Sequence, residues 1–96
     1  MATPEKKVKD KVRKVLEKLG CYYFFPATGG FGRSGVPDIV ICFKGHFIAI
    51  ECKAGDNKPT ALQEMNMKKI RESGGSTVVI NEGNLDTVEL WLTSIN

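Results

Sequence analysis

The 96-residue sequence is short of several things, and each shortage closes off a class of protein. No apolar run approaches the ~18 residues that cross a bilayer, and the opening MATPEKKVKD has no apolar stretch of the kind that directs secretion. No membrane partner is therefore expected, and the expected compartment is the cytoplasm. Cysteines number only three (Cys21, Cys42, Cys52), with no CxxC pair and no histidine spacing suited to zinc. That excludes a disulfide scaffold and predicts reduced, mostly buried thiols beside apolar runs. The single histidine, His46, sits just after a turn, so no Ser/His/Asp or Cys/His set assembles around it. The glycine-rich stretch at 29–35 has no Gly-Lys-Ser/Thr, which removes a nucleotide-binding P-loop. Repeats, low-complexity segments and linkers are absent as well. One domain over 1–96 is expected, and so small a chain invites a partner subunit.

What is present is an ordinary globular composition with an uneven charge. The chain is 42% hydrophobic and 26% charged, with a net charge of +3. Residues 1–18 hold seven basic side chains, Lys6 and Lys7 among them, against three acidic ones, a local charge of +4. A basic helical stripe is the electrostatic footprint of a nucleic-acid binder; it is equally the face of a well-solvated helix.

The pattern reads as helix, three strands, helix, strand, helix. Thr3-Pro4 starts a helix whose apolar positions Val8, Val12, Val15, Leu16 and Leu19 recur at helical spacing until Gly20. An aromatic-rich strand follows at 21–25, then a glycine-rich loop, then an apolar strand at 39–43 expected to be buried on both faces. Lys44-Gly45 is a tight turn into a strand at 46–53. Thr60 and Gln63 have capping-box spacing at the head of a second helix, which Gly74-Gly75 stops. A β-branched strand at 77–80 pairs parallel to 46–53 through a right-handed crossover. Asn84 is expected to cap a last helix with Leu85, Val88, Leu92 and Ile95 on one stripe. Leu90 and Trp91 lie outside it, marking either a dimer surface or a wider buried face. The fold class is α/β, a small mixed sheet flanked by helices.

The turn at Lys44-Gly45 carries the chemistry. In a two-residue hairpin Phe43 stands opposite His46, and the same register puts Asp38 opposite Glu51. Directly opposed residues share a sheet face with Cβ atoms about 4.5–5.5 Å apart, so two carboxylates placed there repel. A divalent cation between them removes the conflict. Lys53 projects from the same face by alternation, while Cys52 points the other way with its backbone carbonyl at the site's edge. Oxygen ligation of this kind suits Mg²⁺ or Mn²⁺. Two further residues have two readings each. Glu5 lies on the apolar side of the first helix, either to join the acidic pair or to complement the helix dipole. Gln63 faces inward on the second helix, either to complete the capping box or to reach the site.

Gly35-Val36-Pro37-Asp38, followed thirteen residues after Asp38 by Glu51-Cys52-Lys53, resembles the split signature of the PD-(D/E)XK nucleases. The acidic start of the first helix, the P-x-x-x-Q helix after the E-x-K strand and the Gly-Gly before the next strand are similar to its VRR-NUC branch, from about Glu5 to Ile80. The resemblance implies a restriction-endonuclease-like αβββαβ core plus a C-terminal helix. It implies Asp38, Glu51 and the Cys52 carbonyl as metal ligands and Lys53 as the residue that activates water or stabilises the phosphorane. Glu5 would complete the acidic site through water or a second metal, with Gln63 as an accessory residue. Stand-alone members of this branch look like homodimeric nucleases acting on four-way DNA junctions. Arg33, Lys6, Lys7 and Lys58 are then candidate DNA contacts. The rival readings are a non-catalytic DNA-binding module on the same fold and a restriction-type duplex nuclease.

Overall fold

The structure is a computed structural model that describes residues 3–27 and 34–95. Among the described residues, α1 (Pro4–Leu19) precedes β1 (Tyr22–Phe24), β2 (Ile39–Phe43) and β3 (His46–Cys52). Then come α2 (Ala61–Glu72), β4 (Ser76–Ile80), a 3₁₀ turn (Leu85–Thr87) and α3 (Val88–Thr93). The sheet order is β1-β2-β3-β4, antiparallel except for the parallel β3–β4 pair. This is the expected element order and the expected mixed sheet. None of the described helices is long and apolar enough to cross a membrane.

The hairpin register follows from the turn. Lys44 and Gly45 both have positive φ, 52° and 81°, the backbone signature of the tight turn whose twist matches paired strands. Phe43 pairs with His46 and Ile39 with Ile50, the predicted register. Ile39 and Ile41 therefore share a face with Ile48, Ile50 and Cys52, and that face packs on Val8, Val12 and Leu16 of α1 and on Val88 and Leu92 of α3. Thr3 caps α1 through its hydroxyl, which accepts from the Lys6 N–H. On the opposite face α2 packs on β4, and Met67 of α2 and Ala49 of β3 are buried.

Three expectations need correcting. The 39–43 strand is not buried on both faces: Val40 is half-buried and Cys42 exposed, on the side where α2 packs on β4. The thiols are accordingly mixed, with Cys42 exposed, Cys21 intermediate and only Cys52 buried. Asn84 does not cap the last helix by its side chain. Its amide instead accepts from the Asn81 N–H and donates to the Val79 carbonyl, tying the end of β4 to the turn. Trp91 packs partly against the core, whereas Leu90 stays 74% exposed.

Candidate metal centre

Asp38 lies one residue before β2 and Glu51 one residue before the end of β3, so the two acids meet where one strand begins and its partner finishes. The pairing of Ile39 with Ile50 carries on to them, and strand alternation turns Glu51 away from the Ile50 and Cys52 face. Asp38 is held from two sides. Its Oδ2 accepts the Cys52 N–H at 2.8 Å, and its Oδ1 lies 3.6 Å from Lys9 Nζ. The Lys53 N–H donates to the Ile80 carbonyl at 2.9 Å. In a parallel ladder that pattern turns both backbone groups of Cys52, the bridge partner of Ile80, toward the Asp38 side. The Cys52 side chain meanwhile sits in the core, where burial pushes its thiol up to about 12.

Glu5 joins them from the first turn of α1. One carboxylate oxygen each from Glu5, Asp38 and Glu51 lies within 4.8 Å of the others. Glu51 is the most constrained of the three, at 1% exposure and with neither carboxyl oxygen hydrogen-bonded. Burial, then the adjacent Asp38 carboxyl, raise Glu51 to about 9; Lys53 pulls the other way. Lys53 is itself nearly buried. Buried carboxyl oxygens without donors are costly to retain, and a hard divalent cation is the partner that oxygen ligands at this spacing accept. The residues present fit such an ion.

The remaining candidates divide. Gln63 completes the capping box: its Oε1 accepts the Thr60 N–H at 2.8 Å while its own N–H donates to Thr60 Oγ1. Its amide oxygen is thus occupied. Lys6 is exposed and pairs with Asp10 at 3.1 Å, and Lys7 and Lys58 are exposed. Arg33 lies outside the described residues.

Two residues escaped sequence reasoning. Lys9 was indistinct within the basic stripe, although it stands one helical turn after Glu5 and so on the same side of α1. Asn66 fastens the loop ahead of Asp38, its Nδ2 donating to the Ser34 and Leu62 carbonyls. Gly35 comes so close to α2 that a Cβ there would lie 2.6 Å from Leu62 Cγ, and its φ is +76°. The glycine of the Gly35-Val36-Pro37-Asp38 motif is therefore a contact requirement: α2 seats the loop that delivers Asp38.

A mixed sheet with acids at the start of its second strand and the end of its third, beside a nearly buried lysine, defines an α/β fold that carries a candidate metal site. No family model and no curated protein matches the chain. Eight chains of solved structures match it. One is a VRR_NUC domain, 25% identical, with a TM-score of 0.74 over 91% of this chain and 95% of that one. The chain thus has the fold of a VRR_NUC domain, with Asp38 at the start of its second strand and Glu51-Cys52-Lys53 at the end of its third.

Proposed function

We propose that this chain is a metal-dependent, structure-selective DNA endonuclease that hydrolyses phosphodiester bonds in branched DNA, four-way junctions included, as a homodimer. The observation that carries the reading is the convergence of three carboxylates around a buried, unpartnered Glu51 beside Lys53, on a VRR-NUC fold. Asp38, Glu51 and the Cys52 carbonyl would hold Mg²⁺ or Mn²⁺, with Glu5 adding a ligand directly or through water. Such an ion lowers the pKa of water and neutralises charge on the phosphate.

The chain's own groups do the rest. The Cys52 N–H fixes the Asp38 carboxylate, so its free lone pairs face the cluster. Lys53 presents an ammonium beside Glu51, where it orients the attacking water or offsets negative charge growing on the phosphorane. Gln63 keeps its Nε2 hydrogens for a phosphate or water. Lys6, Lys7, Lys58 and Arg33 serve as backbone contacts that grip DNA without reading sequence. A single small nuclease unit over 1–96 gains a two-fold pair of sites by dimerising, which suits a symmetric junction. Free cysteines suit a reducing intracellular compartment.

The test is cleavage of labelled four-way junction, duplex and single-stranded DNA with Mg²⁺, Mn²⁺ or EDTA, by wild type, Asp38→Asn and Lys53→Ala. Metal-dependent nicking of the junction that falls at least about 100-fold in both variants is expected. No cleavage by the wild type, with binding intact, would instead mark a DNA-binding module. Palindrome-dependent cuts in duplex would mark a restriction-type enzyme.

A further inference from the structure

The sheet face that carries Asp38 and Glu51 also carries an exposed aromatic row that the metal site does not use. Tyr22 pairs with Cys42, which pairs with Phe47; Phe24 pairs with Val40, which pairs with Ala49. Directly paired residues share a face, so Tyr22, Phe24 and Phe47 all stand on the side of Ala49 and Glu51, away from the α1 core. Tyr22 is 72% exposed, and Phe24 and Phe47 are about half exposed. Large aromatics left open on a short edge strand invite unwanted pairing and need a partner.

We propose that Tyr22 and Phe24, with Phe47 beside them, form a stacking platform for unpaired bases, so that the substrate carries unpaired or unstacked nucleotides next to the cut phosphate. This rests on the nuclease reading and narrows its substrates to branches that expose unpaired or unstacked nucleotides at the branch point.

Three observations select bases as the occupant. Val40 and Cys42, the partners of Phe24 and Tyr22, lie two and four residues beyond Asp38, roughly 7 and 13 Å along the strand. The row therefore leads directly to the carboxylates. The Tyr22 and Phe24 ring centroids are 6.5 Å apart with planes inclined at 60°. Bases lying flat on rings so inclined are themselves inclined to each other, so nucleotides that meet both rings are unstacked. Phe47 shares a groove of about 460 Å³ with exposed Lys69, a cation placed for phosphate beside the row. Aromatics on an open sheet face that stack successive bases are a recurring solution to single-strand binding.

Fluorescence anisotropy in EDTA, with the full chain, compares a paired duplex with the same duplex carrying a single-stranded flap. Wild type should prefer the flap by roughly tenfold or more. That preference should fall to within about twofold of unity in Tyr22→Ala/Phe24→Ala and persist in Tyr22→Trp/Phe24→Trp. If the double alanine variant fails to fold, Tyr22→Ala alone carries the comparison, since that side chain is mostly exposed. A preference unchanged in the alanine variants, or absent from wild type, overturns the platform. So does loss of affinity for both DNAs together with a dimer-to-monomer shift in sedimentation, which assigns the face to a second copy. Metal-dependent cleavage measured in parallel separates the two readings. Cutting without flap preference removes the platform alone, and flap preference without cutting removes the nuclease and leaves a binding platform.

Discussion

Glu51 is held in a state that water would not choose. Its folded pKa near 9 lies far above the 4.5 of an unperturbed glutamate, so at neutral pH the metal-free folded chain binds a proton that the unfolded chain has released. Stability from this group is fully present below about pH 4.5 and is lost as pH rises toward about 9. Metal-free protein should therefore unfold at lower urea as pH goes from 5 to 9. Glu51→Gln should flatten that slope and raise stability at pH 8 by on the order of 2 kcal/mol after allowance for solvent screening. Urea titrations of both proteins in EDTA read this directly. Lys9 gives a second prediction. Its ammonium lies 3.6 Å from Asp38 and 5.9 Å from the centroid of the Phe25 ring, so it would compete with a divalent ion for the same carboxylate. Lys9→Gln should bind Mn²⁺ about two- to fivefold more tightly by electron paramagnetic resonance titration. Asp38 and Glu51 were readable from sequence because a two-residue turn fixes which residues oppose. Lys9 was not, because a helical wheel gives the face a residue shares but not what that face meets.

At the scale of elements, α2 controls the site from outside it. Asn66 and Leu62 clamp the loop at Ser34 and Gly35, and Asp38 follows three residues later. Gly35→Ala adds a Cβ that would overlap Leu62 and holds a left-handed backbone that alanine disfavours. It should cost about 1–3 kcal/mol in urea unfolding and weaken metal binding at the same time. A change in stability with metal affinity intact would show that the loop does not position Asp38. The elements themselves were largely legible. The hairpin register, the capping box at Thr60 and Gln63 and the parallel β4 all follow from local chemistry in the sequence. What local chemistry cannot supply is coverage. The 39–43 run is apolar enough for two buried faces, yet α2 packs mainly on β4, and Cys42 is left in solvent. Asn84 fails as a helix cap for a related reason: the end of β4 offers the Val79 carbonyl and Asn81 N–H, and its amide bonds to both.

At the scale of the molecule, the charge that looks modest in total is sharply divided. A basic α1 begins at an acidic cluster, so one helix carries seven of the fourteen basic residues and also supplies Glu5 to the cluster. The tertiary fold makes that division useful by bringing Glu5 to residues 33 and 46 positions away in sequence. The central claim is that this cluster is a divalent-cation site, and calorimetric titration of Mn²⁺ at pH 7 in buffers of differing protonation enthalpy tests it most directly. Wild type should bind with release of about one proton per ion as Glu51 ionises, and Asp38→Asn and Glu51→Gln should lose that binding. Equal binding in wild type and both variants, or binding without proton release, would contradict the account.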